Sequence, residues 1–170
     1  EGKYMPAYFH MTPSREKAPT ILFIGGMDQW KEMFVSACDN WFVKRGMNIL
    51  ALDGPGQGES LERKIYHDTP DKFGKAGKVA IDWLVNREEV DAEKIGIWGN
   101  SMGTYWGPTI AIEDSRVKAM ALGMSCYYPA NGEIFNETTP NFRLRWMWMA
   151  DKDTDEAFDE FVSKLTLEGK

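Results

Sequence analysis

The apolar residues of this chain fall into short continuous runs that alternate with stretches of helical periodicity. Five of these runs have the composition of strands, and they cover residues 2–11, 18–26, 48–53, 94–98 and 117–124. Continuous apolar runs fit strands that are covered on both faces, as they are in a parallel sheet. Strands that alternate with helices therefore predict an α/β fold with three layers, α/β/α, around a mainly parallel sheet.

The intervening stretches place their apolar side chains on one face of a helix. The first helix is predicted to end near Gly46, behind two basic residues, and its apolar residues are Met33, Phe34, Ala37, Cys38, Trp41 and Phe42. The second is predicted to open at Thr69-Pro70, with threonine as its cap. Its apolar residues are Phe73, Ala76, Val79, Ala80, Trp83 and Leu84. A third helix follows the fourth strand, with Met102, Tyr105, Trp106, Ile110 and Ile112.

The alternation stops after the fifth strand. Residues 141–150 predict one helix, and Asp153 is expected to cap another because Glu156 follows three residues later. Two helices without a strand between them do not continue the α/β pattern. We therefore divide the chain into a partial core, residues 1–126, and a loop with the start of a helical lid, residues 127–170. Simple packing of these helices on the sheet is the alternative.

Residues 99–103 read Gly-Asn-Ser-Met-Gly, which matches the pattern Gly-x-Ser-x-Gly. Small residues on both sides allow a strand and a helix to pack closely around a serine at the apex of a strained turn. The N-terminus of the following helix then aims free N–H groups at whatever the serine attacks. Five residues alone are a weak signal, but the apolar strand before them and the helix after them make Ser101 a candidate nucleophile.

Glycine-containing turns also follow the second and third predicted strands. They are Gly25-Gly26-Met27 and residues 53–60, and in a parallel sheet both would lie at the same edge as Ser101. The two glycines could turn the N–H of Met27 toward the serine, although a plain strand-to-helix turn would use them as well. Residues 53–60 lack the Gly-Lys-Ser/Thr ending of a phosphate loop, so we reject a nucleotide site and expect a rigid loop at the mouth of a pocket.

Together these motifs resemble the α/β-hydrolase superfamily. Gly-Gly-Met-Asp is similar to its oxyanion loop, Asp-Gly-Pro-Gly-Gln-Gly-Glu-Ser to the loop after the next strand, and Gly-Asn-Ser-Met-Gly to its nucleophile turn. Residues 25–34, 51–60 and 95–108 are similar to a lidded bacterial and fungal branch. That branch includes FrsA-like esterases, pseudooxynicotine-type C–C hydrolases and polyketide-shortening hydrolases. The resemblance covers nearly the whole chain.

The resemblance implies a mechanism for particular residues. Ser101 would attack the carbonyl carbon of an ester, or of a ketone whose adjacent C–C bond breaks, and an acyl-enzyme would form. The N–H groups of Met27 and Met102 would form the oxyanion hole. Trp30 and Trp106 could line a pocket for a small apolar or aromatic carbonyl substrate, although core packing explains both equally well. Neither a cofactor nor a metal ion is expected.

Charge and composition exclude other classes of function. The chain has 170 residues and a net charge of −6, which argues against a nucleic-acid partner. No apolar run approaches the roughly 20 residues that a membrane span needs, so no membrane partner is expected. Cys38 and Cys126 match no metal-binding spacing and predict buried free thiols, which favours a cytoplasmic location.

A serine nucleophile needs a base, and in this superfamily the acid and the histidine follow the serine along the chain. The two histidines, His10 and His67, both precede Ser101. His10 fits a solvated strand end, and His67 could approach the serine only from the side. The acid and histidine are therefore expected outside this stretch, which resembles the N-terminal and middle part of a catalytic domain.

Two further expectations follow from the missing base. A second chain or a missing C-terminal segment should complete the sheet at residues 117–124, because an apolar strand with an open edge is prone to aggregate. The alternative to a serine hydrolase is a non-catalytic binding module, or an inactive fragment, that keeps the scaffold without the base.

Overall fold

The five apolar runs form five strands of one sheet in the computed structural model, which describes residues 4–14, 16–33, 35, 40–124 and 134–169. The strands are β1 (Ala7–His10), β2 (Ala18–Ile24), β3 (Asn48–Leu52), β4 (Val90–Asn100) and β5 (Val117–Gly123). Their order across the sheet is β1-β3-β2-β4-β5. β1 is antiparallel to β3 and the other pairs are parallel, which confirms the prediction of a mainly parallel sheet.

The strand register places the three glycine-containing turns side by side. Ile24 at the end of β2 lies opposite Leu52 of β3 on one side and opposite Gly99 of β4 on the other. The chain therefore leaves all three strands at the same edge of the sheet. Loops at the carboxyl ends of parallel strands form the usual ligand site of such sheets.

Side chains of the strands alternate between two buried faces. One face contributes Leu22, Ile24, Leu50, Leu52, Ile95 and Ile97 to the larger hydrophobic core. On the other face Phe23, Ile49 and Ala51 cluster with Val35, and Phe42 and Trp98 pack against them. Burial on both faces explains why the strands read as continuous apolar runs rather than as alternating ones.

Two long helices cover the larger core, α2 (Lys72–Val85) and α3 (Gly103–Glu113). The predicted threonine cap of α2 is wrong. The Thr69 carbonyl accepts the N–H of Lys72 in a turn, the Thr69 hydroxyl donates to the carboxylate of Asp71, and Asp71 occupies the N-cap position. The apolar stripes of both helices are otherwise mostly buried, with three exceptions that are exposed: Val79, Trp83 and Ile112.

The remaining helices are α1 (Gly58–Glu62), α4 (Ile134–Glu137), α5 (Pro140–Met149) and α6 (Asp155–Val162). α5 and α6 match the two helices predicted after the fifth strand. Their buried side chains join the larger core, and they are Trp146, Met147, Met149, Phe158, Phe161 and Val162. The predicted cap Asp153 is wrong, because Thr154 is the N-cap and its hydroxyl accepts the N–H of Ala157 at 3.2 Å.

The helix predicted between β2 and β3 does not form in its described residues. Residues 31–33 make a turn, and a 3₁₀ helix at Val43–Arg45 ends at Gly46 with a left-handed φ of 75°. Met33 and Trp41 are exposed, contrary to the predicted buried stripe. Phe34, Ala37, Cys38 and Cys126 lie outside the described residues. None of the helices in the described ranges combines the length and hydrophobicity that crossing a bilayer requires.

Candidate active site

Ser101 lies at the turn between β4 and α3, with its side chain partly exposed. Its φ of 51° falls in the left-handed region, which costs a residue other than glycine about 1–3 kcal/mol. Backbone contacts hold this conformation. The Ser101 N–H donates to the Gly123 carbonyl at 3.0 Å, and the Ser101 carbonyl accepts the N–H of Thr104 at 2.8 Å and its hydroxyl at 2.6 Å. Hydrogen bonds to β5 and to α3 thus fix the serine at the edge of the sheet.

Three glycines allow the backbone to close around this serine. A Cβ on Gly103 would collide with the carbonyl of Ile24, and a Cβ on Gly99 would collide with the carbonyl of Gly103. A Cβ on Gly26 would lie 2.8 Å from the Cβ of Ser101 and 3.2 Å from its Oγ. The turn after β2 therefore lies directly against Ser101, as the sequence predicted.

The two residues predicted as oxyanion-hole donors follow these turns. Met27 comes directly after Gly26, and Met102 comes directly after Ser101 at the N-cap position of α3. Both methionine side chains are buried. Neither backbone N–H donates a hydrogen bond within the described part of the chain.

Two buried glutamines, which we name the glutamine clamp, hold the turn after β2. Gln29 Oε1 accepts the N–H of Gly26 at 2.6 Å and the Nδ2 of Asn100 at 3.2 Å. Gln57 Nε2 donates to the Gly26 carbonyl at 2.5 Å, and Gln57 Oε1 accepts the N–H of Gly54 at 3.0 Å. The clamp therefore joins the turns after β2 and β3 to the residue that precedes Ser101.

An ion cluster around the buried side chains of Lys31 and Asp53 connects the same two turns. Lys31 Nζ lies 2.9 Å from Asp53 Oδ2, 2.6 Å from Glu59 and 3.1 Å from Glu32, and the Lys31 N–H donates to Asp53 Oδ1 at 2.7 Å. Burial by itself would lower the pKa of Lys31, but hydrogen bonds to Glu59, Asp53 and Glu32 raise it above its ordinary value. Lys31 is therefore held as a cation and cannot act as a base.

His67 is buried in an aromatic cage formed by Phe73, Trp106, Trp146 and Phe161. Its ring centroid lies 5.0–5.9 Å from theirs. Neither ring nitrogen has a hydrogen-bond partner among the described residues. Desolvation lowers the pKa of His67 from 6.5 to about 3, so the imidazole is neutral at pH 7 and makes no hydrogen bond to Ser101.

The other histidine lies at the opposite edge of the sheet. His10 pairs with Ile49 near the start of β3, whereas Ser101 follows the end of β4. Burial lowers the pKa of His10. In the described ranges, therefore, neither histidine lies against the candidate nucleophile.

The structure separates the two tryptophans proposed for the substrate pocket. Trp30 is 44% exposed, just after the turn that carries Met27. Trp106 is fully buried and stacks on Phe73 with ring centroids 3.9 Å apart. Trp106 therefore belongs to the aromatic cage, and only Trp30 has a surface open to solvent.

A large open cavity is found away from Ser101. It has a volume of about 860 Å³ and lies between β1, β3 and α2, where Phe9, Val79 and Trp83 are among its lining residues. Among the residues that the structure describes, no cluster of three or more His, Cys, Asp or Glu side chains could hold a metal ion.

Sequence reasoning missed the polar residues that organise this site: Gln29, Lys31, Asp53, Gln57 and Asn100. The only feature of the sequence that marks these residues is their position inside or shortly after a glycine motif. Amide and charged side chains of this kind show no periodicity, and their partners lie up to 71 residues away.

The chain is similar to several hydrolases. It is 27% identical over 156 residues to the 2,6-dihydropseudooxynicotine hydrolase of Paenarthrobacter nicotinovorans, which covers 92% of this chain and 41% of that protein. It is 29% identical over 121 residues to the esterase FrsA of Enterobacter sp. (strain 638), which covers 71% of this chain and 28% of that protein. Hydrolase phmG of Phaeosphaeria nodorum is 34% identical over 119 residues, which covers 68% of this chain and 26% of that protein.

The chain thus spans less than half the length of these relatives. The crystal structure of the 2,6-dihydroxy-pseudo-oxynicotine hydrolase superposes with a TM-score of 0.81 at 25% identity, over 95% of this chain and 44% of that one. An α/β-hydrolase of Penicillium, GrgF, shares the fold at a TM-score of 0.56 and 16% identity. The family model described as "Esterase FrsA-like" matches residues 1–150. The chain therefore has the α/β-hydrolase fold and belongs to the FrsA-like esterase family.

Proposed function

We propose that this chain carries the nucleophile and the oxyanion hole of a serine hydrolase. Ser101 attacks the carbonyl carbon of an ester, or of a ketone whose adjacent C–C bond then breaks, and water releases the acyl group from the serine. The observation that carries the proposal is the left-handed turn at Ser101 packed against Gly26. Backbone strain of this kind persists where the surrounding structure enforces it, and it concentrates at functional sites.

The backbone N–H groups of Met27 and Met102 bind the oxygen that becomes negative during the attack. Neither N–H has a partner within the described residues, and they follow the two turns that meet at Ser101. One such donor typically contributes about 3–4 kcal/mol to stabilisation of the transition state. α3, which begins at Gly103, adds the positive end of its dipole at the same place.

The substrate that we propose is a small apolar or aromatic carbonyl compound. Met27 and Met102, the residues that flank the proposed site, have buried apolar side chains, and Trp30 offers a partly exposed aromatic surface just after the turn that carries Met27. The names of the similar proteins agree with carbonyl substrates, since they include an esterase and a pseudooxynicotine hydrolase.

The base and its orienting acid are proposed to come from outside the described residues. His10 lies at the wrong edge of the sheet, His67 is enclosed by aromatic rings, and Lys31 is held as a cation. β5 offers a place for the segment that brings them, because it is the last strand in the sheet order and Met120 is exposed on it. We propose that a further strand, from the same protein or a second chain, pairs with β5. β5 amides that face away from β4 and exchange with solvent as fast as loop amides would contradict this pairing.

α5 and α6 are proposed as the start of a lid. The end of α5 lies against the turn after β3, because the Met149 carbonyl accepts the N–H of His67 at 2.8 Å and a Cβ on Gly56 would approach that carbonyl to 2.7 Å. This contact lies at the edge of the sheet that also carries Ser101. This contact supports the proposal that the helices cover the site.

A non-catalytic binding module is the second candidate function. It is favoured by one observation, which is that no described histidine hydrogen-bonds the Ser101 hydroxyl. Such a module would bind a carbonyl ligand between Met27 and Met102 without turning it over. The two functions differ in whether Ser101 reacts.

Hydrolysis of p-nitrophenyl butyrate by the complete protein, including the segment or second chain that supplies the base, separates them. For a serine hydrolase, Ser101→Ala should lower kcat by about 10⁴-fold or more, as expected when a nucleophile is removed. Ser163→Ala is the matched control, because Ser163 is exposed and bonds only to its own helix through the Glu160 carbonyl. Equal hydrolysis by the two variants, or none by the unmodified protein, would favour the binding module.

A further inference from the structure

The glutamine clamp acts on the peptide unit that carries the proposed oxyanion donor. The Gly26 carbonyl and the Met27 N–H belong to one planar trans peptide, so fixing the direction of the carbonyl fixes the opposite direction of the N–H. Two donors fix that carbonyl, Gln57 Nε2 at 2.5 Å and the Gln29 N–H at 3.1 Å. The orientation of the Met27 N–H therefore depends on Gln57.

The other glutamine fixes the distance between the donor and the nucleophile. Gln29 Oε1 accepts hydrogen bonds from the Gly26 N–H and from the side chain of Asn100, which directly precedes Ser101. The turn after β2, which carries Met27, and the turn that carries Ser101 thus share one acceptor atom, Gln29 Oε1. Gln29 and Gln57 are 8% and 3% exposed, so water cannot easily replace either of them.

We propose that Gln57 and Gln29 are positioning residues that preorganise the oxyanion hole of this enzyme, Gln57 by orienting the Met27 N–H and Gln29 by setting its distance from Ser101. This inference rests on the proposed function of Ser101 and Met27. A donor that is fixed before the reaction needs no reorganisation as the oxyanion forms, and a displacement of about 1 Å can reduce the rate 10²-fold.

Substitution of the two glutamines tests the positioning role. Gln57→Met keeps the length of the side chain and removes the hydrogen bonds of its amide to Gly25, Gly26 and Gly54. It should lower kcat for p-nitrophenyl butyrate by about 10–100-fold with an unchanged KM, because the oxyanion hole acts in the transition state and not in substrate binding. Gln57→Glu should lower kcat further, since its carboxylate would face the carbonyl oxygens of Gly25 and Gly26. Gln29→Met should also lower kcat with an unchanged KM.

Asn48→Leu is the matched control for loss of a buried amide. Asn48 is fully buried at the start of β3 and its side chain bonds to Thr12, Thr20 and Glu89, at the edge of the sheet opposite Ser101. This variant should lose stability as the glutamine variants do, but it should keep its kcat. If the glutamine variants keep their kcat at temperatures where all variants are folded, the positioning role is overturned.

Amide hydrogen exchange gives a readout that does not depend on catalysis. The Gly26 amide should be protected in the unmodified protein and should exchange faster in Gln29→Met, whereas the Gly54 amide should respond to Gln57→Met. A Gly26 amide that is unprotected in the unmodified protein overturns the clamp itself. If the Gly26 amide is protected but no hydrolysis depends on Ser101, the proposed function has failed and the inference fails with it. If the glutamine variants keep their activity although these amides exchange faster, the inference alone is overturned.

Discussion

The glutamine clamp and the aromatic cage both bury polar side chains, but only the clamp gives them hydrogen-bond partners. In the clamp each glutamine binds backbone groups of a neighbouring turn. In the cage the two nitrogens of His67 and the Nε1 atoms of Trp106 and Trp146 have no partner among the described residues. The two regions meet at α3, whose N-terminus carries Ser101 and whose first turns carry Trp106.

This difference shows how to tell a positioning group from a packing group. A buried polar atom that bonds the backbone of a functional loop restricts where that loop can lie. A buried polar atom that faces only aromatic rings does not fix the position of any loop. It lowers the stability of the folded protein when it becomes charged. By this criterion the amides of the glutamine clamp are positioning groups, and His67 belongs to the core.

Lys31→Met should have the largest effect on stability, because it removes the cation that the turns after β2 and β3 share. Asp53 would remain fully buried without its charged partner, and breaking a buried pair in this way typically costs about 3–5 kcal/mol. Urea unfolding of the purified protein would measure the loss. Lys164→Met is the control, because its pair with Glu160 is exposed and should contribute little to stability. Similar losses in the two variants would contradict the role of the buried cluster.

Gly26→Ala tests the contact between the turn after β2 and Ser101. The added methyl group would lie 2.8 Å from the Cβ of Ser101, so the turn must move away from the serine. We expect kcat to fall by about 10²–10³-fold, the usual effect of losing one oxyanion-hole donor. Gly123→Ala adds the same group where the nearest atom of the described residues is 4.0 Å away, and it should leave kcat nearly unchanged.

His67→Phe tests whether the burial of His67 in the aromatic cage lowers the stability of the protein at low pH. The pKa of His67 is lowered from 6.5 to about 3 in the folded protein, so the unfolded chain binds a proton more readily. The stability contributed by the neutral imidazole is complete above pH 6.5 and declines as the pH falls toward 3. Because of this proton linkage, the folded protein is about 2 kcal/mol less stable at pH 5 than above pH 6.5.

Unfolding by urea at pH 8 and pH 5 would measure this effect. The unmodified protein should lose about 2 kcal/mol more than His67→Phe between the two pH values, because phenylalanine fills the cage and cannot bind a proton. Carboxylates titrate in both proteins and cancel in the comparison. Parallel losses in the two proteins would mean that His67 is charged or solvated when folded.

Thr154→Ala should have the smallest effect. Thr154 caps α6, which carries Phe161 of the aromatic cage, and loss of an N-cap typically costs about 1 kcal/mol. Asp153→Ala is the control, because the sequence pattern pointed to Asp153 and the structure to Thr154. A larger loss of stability in Asp153→Ala would show that the sequence pattern had identified the cap correctly.

The strands and the nucleophile turn could be predicted because their signals are local. β2, β3 and β5 begin and end within two residues of their apolar runs, and the glycines around Ser101 follow from the close approach of β4 and α3. The starts of α2 and α6 were placed on the wrong residues, because Thr69 and Asp153 satisfy the capping pattern as well as the true N-caps do. Tertiary contacts decide between such equivalent positions.

The polar organisation of the site could not be predicted in this way. The bonds from Lys31 to Asp53 and from Gln29 to Asn100 join residues 22 and 71 positions apart. Neither partner is marked by periodicity, and charged or amide residues near glycines usually indicate only a turn. The exposure of Trp41 and Val79 was missed for a related reason, since helical spacing identifies an apolar face without showing what covers it.

Ser101 is proposed to be a reactive nucleophile held beside an oxyanion hole. Fluorophosphonate treatment of the complete protein, including the segment or second chain that supplies the base, followed by peptide mapping by mass spectrometry, tests this proposal. We expect one adduct, located on Ser101, and no adduct in Ser101→Ala. A folded protein that stays unlabelled, or a label that persists in Ser101→Ala, would contradict it.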